Sequence, residues 1–175
     1  MTMSELRDGL NALGQPFDVL YMHSCLMGML EVGRQLIDRT RFWVASEEVL
    51  FANFEWKPWV EALHANPGME PAALADSIAN AYAAGMVTAN ERGFTIASID
   101  LNGLAPMMTA VSAWATALKT DMADIKVRKV RDDNGNVRVN KDARAKAEQF
   151  KSKEFKDLRH LSELVAGLPL SAAPL

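Results

Sequence analysis

Cysteine is all but missing from this 175-residue chain: Cys25 stands alone, so no internal disulfide can form. A single thiol is compatible with a reducing compartment without establishing one. Long apolar runs are missing too. None approaches the roughly 18 residues a membrane helix needs, and the sequence calls for no membrane partner. The first residues, Met-Thr-Met-Ser-Glu-Leu-Arg-Asp, lack the basic-then-apolar layout of a signal peptide. That favours a cytoplasmic location, although an internal piece of a secreted precursor fits as well. Excess positive charge is absent: the net charge is −3, which leaves no footprint for nucleic acid. The basic residues that cluster late (Lys126, Arg128, Lys129 and Arg131, then Lys141, Arg144 and Lys146) read as a solvated surface. Histidine is scarce, with three in the chain: His23, His64 and His160. Nothing in the sequence calls for a metal or a cofactor.

What remains is an ordinary globular composition, about half apolar, and long enough for one domain. Leu6, Leu10 and Leu13 recur at helical spacing, with Ser4 available as a cap and Gly14 as a stop. Phe17 to Met22 is a compact apolar run of the kind that forms a strand buried on both faces. Leu26, Met29, Leu30, Gly33 and Ile37 mark one helical stripe over 26–37, and Phe42-Trp43-Val44-Ala45 a second strand. Strand, helix and strand on short links imply a right-handed crossover and a parallel sheet. Helices are expected over 56–64 and 72–85, the latter opened by Pro71. A third strand is expected over 93–98, then a helix from Leu101 capped by Asp100. Asp132-Asp133-Asn134-Gly135-Asn136 sits between alternating segments and predicts a charged hairpin over about 125–140. Helices over 142–150 and 155–165 close the domain at about residue 166. The Pro- and Ala-rich stretch 167–175 reads as a loose tail.

Cys25 follows a strand and, on this reading, opens a helix. A helix N-terminus offers free N–H groups and partial positive charge, which favour a thiolate and the oxyanion formed when it attacks a carbonyl. Placement alone also fits an inert core thiol in an ordinary α/β domain. The surrounding residues add a resemblance. Phe17-Asp18-Val19-Leu20, Ser24-Cys25-Leu26-Met27-Gly28 and Glu31-Val32 resemble the nucleophile motif of the clostripain family of cysteine peptidases. Val44-Ala45-Ser46-Glu47-Glu48, Trp56 with Trp59 and Leu63, Asn66-Pro67, Ile96 to Leu101 and Phe155 to Leu158 extend the likeness to about residue 165. It implies an α/β caspase-like fold: a mainly parallel sheet with helices on both faces, here incomplete at its N-terminal strands. It implies Cys25 as the nucleophile of peptide-bond hydrolysis, acting on a peptide or protein substrate, with His23, Ser46, Glu47 and Asn53 near the bound residue.

The sequence departs from that pattern in two ways. The family places its catalytic histidine in a His-Gly motif on an earlier strand, and none of the three histidines here precedes the strand leading to Cys25 or is followed by glycine. His23 stands where relatives carry Asp, and Asn53 where they often carry a second acid, so the preference for Arg or Lys that suits an acidic wall is in question. Glu47 and Glu48 offer some negative charge nearby. Met1-Thr2-Met3 falls inside the family pattern rather than at its start. The expectation is therefore the Cys-bearing part of a peptidase, completed by a His-bearing partner chain or segment, or by self-association. A non-catalytic caspase-like module that binds or scaffolds a partner, a pseudoenzyme, is the alternative.

Overall fold

The structure, a computed structural model, describes residues 2–51, 56–120, 128–131, 137–140, 147, 149–150 and 157–166. The chain divides into two compact units, residues 1–108 and 109–175. The first unit holds helix α1 (Met3–Ala12), strand β1 (Phe17–Tyr21), helix α2 (Leu30–Leu36), strand β2 (Thr40–Ala45), helices α3 (Lys57–Ala65) and α4 (Pro71–Thr88), and strand β3 (Ala97–Asp100). A short 3-10 turn (Leu101–Gly103) then leads into helix α5 (Leu104–Thr120).

The sheet runs in the order β1-β2-β3. β1 and β2 are parallel, with Phe17 opposite Thr40 and Tyr21 opposite Val44, as the strand-helix-strand pattern implies. β3 starts later than the sequence suggests and lies antiparallel to β2, pairing Ala97 with Ala45 and Asp100 with Phe42. Asp100 then caps the following turn by accepting the Asn102 N–H at 2.9 Å, the role the sequence assigns it.

β2 is the central strand, and its alternation organises two layers. Phe42 and Val44 face α4, whose Ala75, Ile78, Tyr82 and Met86 form one buried stripe with them. Those positions are three or four residues apart, so one side of α4 carries them all. Trp43 points to the opposite face and meets α2 at Gly33. Helices therefore cover both faces of the sheet, the α/β arrangement expected. β1 is an edge: among the described residues it pairs with β2 on one side and with no strand on the other.

Two local expectations need correction. Helix α1 is capped by Thr2, not Ser4. Thr2 Oγ1 accepts the Glu5 N–H at 3.2 Å and Glu5 Oε2 accepts the Thr2 N–H at 2.6 Å, a reciprocal capping box spelled Thr-x-x-Glu. Helix α2 begins at Leu30, not Leu26. Leu26 sits at φ +60°, a left-handed conformation that no α-helix can contain.

In the second unit, β4 (Arg128–Arg131) and β5 (Val137–Asn140) pair antiparallel, with Arg131 opposite Val137. This is the ribbon that Asn134-Gly135 suggests, although the connecting residues lie outside the described ones, as do 167–175 and most of 142–150. Helix α6 (Leu158–Ala166) is the last described element.

Gly33 tests the packing of α2 on β2. A Cβ there would lie 2.9 Å from Trp43 Cζ3 and 3.0 Å from Leu104 Cδ2, and both neighbours are buried. Gly33→Ala gains up to about 1 kcal/mol of helix propensity, but overpacking a closed core costs about 1–3 kcal/mol. The expected result is a net loss of about 1 kcal/mol in urea-unfolding free energy; a stabilised variant would show that α2 can move away from the sheet.

Candidate active site

The site is built where the chain leaves β1. Met22 extends the parallel ladder by one bond, its N–H donating to Val44 O at 3.0 Å. His23, Ser24 and Cys25 then follow in an exposed turn. Instead of entering a helix, this turn is laced to the loop after β2. The Leu26 N–H donates to Glu48 O at 3.2 Å, and the Gly28 N–H to Ser46 O at 2.7 Å. The second contact explains why residue 28 is glycine: a Cβ there would lie 2.7 Å from Ser46 C and 2.8 Å from Glu47 N. Cys25 consequently owes nothing to a helix terminus. Its sulfur meets a different donor, the Leu50 N–H, at 3.4 Å.

The loop carrying that donor is held by side chains. Thr95 Oγ1 accepts the N–H groups of Glu47 and Glu48, each at 3.1 Å. With both acceptor positions used, its proton is left for Ser46 Oγ at 3.1 Å. Ser46 Oγ in turn donates to Glu48 O at 3.0 Å. Further along, the Phe51 N–H donates to the Tyr82 hydroxyl at 3.1 Å. Tyr82 belongs to the buried stripe of α4 and is wholly enclosed.

The residues expected around the substrate have different fates. Ser46 is fully buried, and its hydroxyl braces the loop rather than facing solvent. Glu47 is half-buried over Gly28. Asn53 lies outside the described residues. His23 is exposed, but its ring turns towards Tyr21, two residues back on the same face. Its Nδ1 is 2.5 Å from the Tyr21 hydroxyl, and it packs tilted against Trp56 with centroids 5.6 Å apart. Trp56 continues to Trp59 at 5.9 Å. Of the other histidines, His64 is exposed on α3, and His160, in the second unit, bonds through its backbone N–H to Asp157 Oδ1.

Sequence reasoning missed Thr95, Tyr82 and the Leu50 N–H. Tyr82 left a signal: it is the one residue with a polar tip on an otherwise apolar stripe, and a buried phenol seeks a hydrogen-bond partner. Thr95 left none, because a threonine before a strand is unremarkable in any sequence.

A model of the clostripain family matches residues 1–165. A crystal structure of a clostripain from Bacteroides thetaiotaomicron in complex with a peptide inhibitor is similar over 63% of this chain and 47% of its own, with 18% identity and a TM-score of 0.53. A cysteine protease from B. fragilis is similar over 97% of this chain and 66% of its own, with 16% identity and a TM-score of 0.63. The chain thus spans less than two thirds of the length of either structure, and at these identities the likeness is one of fold. No curated protein sequence matches the chain.

Both phenols near the site hold their protons tightly. Burial raises the Tyr21 pKa first, and the neighbouring Tyr82 adds to the rise. Burial also raises Tyr82; the Phe51 N–H opposes this, while Cys25 and Glu91 reinforce it. In the unfolded chain both ionise near pH 10. Above that pH the folded state binds more protons than the unfolded one, so stability is full below about pH 10 and falls as pH rises further. Urea midpoints taken between pH 8 and 11 should show this fall, and the Tyr21→Phe, Tyr82→Phe pair should flatten it. An unchanged slope in the double variant would place the titration elsewhere.

Proposed function

The chain belongs to the clostripain family, and we propose that Cys25 is the nucleophile of a cysteine endopeptidase site that a histidine from another segment or a partner chain completes. The observation that carries this reading is the exposed Cys25 at the end of an edge strand, with a backbone N–H aimed at its sulfur. An attacking thiolate bonds to the carbonyl carbon of the substrate, and the amine leaves with a proton. Cys25 supplies the nucleophile, and the Leu50 N–H steadies its negative charge. Neither takes up the thiol proton nor protonates the leaving amine; that needs a positioned acid–base group. The His23 ring is turned towards Tyr21 and Trp56, which argues against it as the base. β1, paired on one side only among the described residues, offers an edge that a His-bearing strand would extend.

A second reading rests on the same gap. A chain whose His23 engages Tyr21 and Trp56 also suits a non-catalytic module that keeps the fold and binds a partner. Activity assays separate the two. The purified chain should label at Cys25 with iodoacetamide at least as fast as free glutathione, because the thiol is exposed, yet should show no turnover of mixed peptides. Hydrolysis by the chain alone, abolished by Cys25→Ala, would overturn the requirement for an outside histidine. Labelling slower than glutathione would point to a structural thiol.

Specificity follows from the wall beside the turn. His23, Tyr21 and Trp56 present aromatic edges and an imidazole where a carboxylate would otherwise pair with a cation. An exposed cation–π contact is worth about 0.5–1 kcal/mol, less than the roughly 1.5–3 kcal/mol of a hydrogen bond to a charged group. The completed enzyme should therefore prefer Arg and Lys weakly or not at all. His23→Asp should raise kcat/KM for an Arg substrate relative to a Leu substrate by about tenfold. A strong Arg preference in the unchanged protein, read on a peptide library, would refute this.

A further inference from the structure

The loop after β2 does more than follow Cys25 in the sheet. It carries the donor that meets the sulfur, and that donor's position is decided by two side chains outside the turn. We infer that Tyr82 and Thr95 are positioning residues for Cys25, together holding the 46–51 loop so that the Leu50 N–H stays directed at Sγ. The inference rests on the reading of Cys25 as a nucleophile only for its meaning in catalysis; the geometry stands without it.

The bonds form a continuous path. Thr95 Oγ1 takes the N–H groups of Glu47 and Glu48 at 3.1 Å each, which fixes the start of the loop. Glu48 O then receives the Leu26 N–H at 3.2 Å, tying the residue after the cysteine to the same segment. Tyr82 fixes the far end by accepting the Phe51 N–H at 3.1 Å. Leu50 precedes Phe51 directly: its own N–H lies in the peptide plane before it, and holding the Phe51 N–H fixes the plane after it, so only the Leu50 φ and ψ separate the donor from the anchor. With both ends fixed, the Leu50 N–H lies 3.4 Å from Cys25 Sγ. Tyr82 is an effective anchor because its ring is immobile: it is fully enclosed between Phe42, Val44, Ile78 and Met86, so its hydroxyl has one place to be. A phenylalanine fills the same space and leaves the Phe51 N–H without its acceptor.

A donor directed at sulfur interacts most strongly with the thiolate, the species that reacts with alkylating reagents. Loosening the donor should therefore slow alkylation without unfolding the protein. The test compares second-order rates of Cys25 labelling by iodoacetamide at pH 7 for the unchanged chain, Tyr82→Phe, Thr95→Val and Thr95→Ser, with melting temperatures and amide exchange at Leu50 and Phe51. Tyr82→Phe and Thr95→Val should each label about fivefold more slowly, the loss expected for a weakened hydrogen bond to a charged group. Thr95→Ser keeps the hydroxyl and should restore the rate. Unchanged labelling in Tyr82→Phe, alongside faster exchange at Phe51, would overturn the inference by showing that the hydroxyl serves the loop but not the thiol. Should Tyr82→Phe fail to fold, the Thr95 pair decides: equal rates in the Val and Ser variants overturn it. Peptide hydrolysis by the completed enzyme is scored separately. Slower labelling without any hydrolysis would keep the positioning role and remove the peptidase reading, whereas hydrolysis with unaltered labelling would do the reverse.

Discussion

Backbone meets backbone at Gly28 and Ser46, and the arrangement around Cys25 depends on that contact. The Gly28 N–H reaches Ser46 O at 2.7 Å, and no side chain fits between the two segments. This closeness prevents the chain from starting a helix straight after the strand, forces Leu26 into the left-handed region, and lays the cysteine turn along the loop that follows β2. Strain at Leu26 costs about 1–2 kcal/mol for a residue with a Cβ. The two backbone bonds to the 46–48 segment and the burial of Met29 offset it. The thiol is left exposed while the backbone beneath it is fixed.

That arrangement changes which electrostatic device serves the cysteine. A helix N-terminus acts through several parallel N–H groups and a summed dipole. Here a single N–H from a different segment does the work, and its direction depends on a threonine and a tyrosine that are remote in sequence. Local order at the site is thus borrowed from the core: Tyr82 is as much a part of the packing between α4 and β2 as Phe42 or Val44. A substitution that shifts α4 by a fraction of an ångström reaches the cysteine through one hydroxyl.

The sequence revealed the parts of the fold that depend on periodicity. The apolar runs at 17–22 and 42–45 became β1 and β2, and the parallel pairing followed from the helix between them. Helix α4 and the antiparallel pairing of β4 with β5 were equally visible. What escaped were features decided by contacts between distant segments. The start of α2 was misplaced because Leu26 and Met29 continue the apolar stripe of the helix, and nothing local announces that residue 28 lies against Ser46. β3 began late because Phe94 and Ile96, which look like strand residues, pack beside the α4 core instead of joining the ladder. At the site, the resemblance points to Cys25 and His23, which share one exposed turn, while Ser46, expected at the substrate, is buried. A serine inside the Val44-Ala45-Ser46-Glu47-Glu48 block gives no hint of which way its hydroxyl faces.

Among the described residues β1 pairs on one side only, and that has a consequence for how such an edge responds to its surroundings. A strand that joins there makes all its ladder bonds between segments, so the join is a binding equilibrium with its own dissociation constant. Supplied by a separate chain, the strand would fill the edge in proportion to its concentration, and the heat resistance of β1 would climb with dose. Supplied on a tether, it would be present at an effective concentration set by linker length, and occupancy would no longer change on dilution. The source of the added strand would therefore decide whether pairing at this edge follows stoichiometry or linker length.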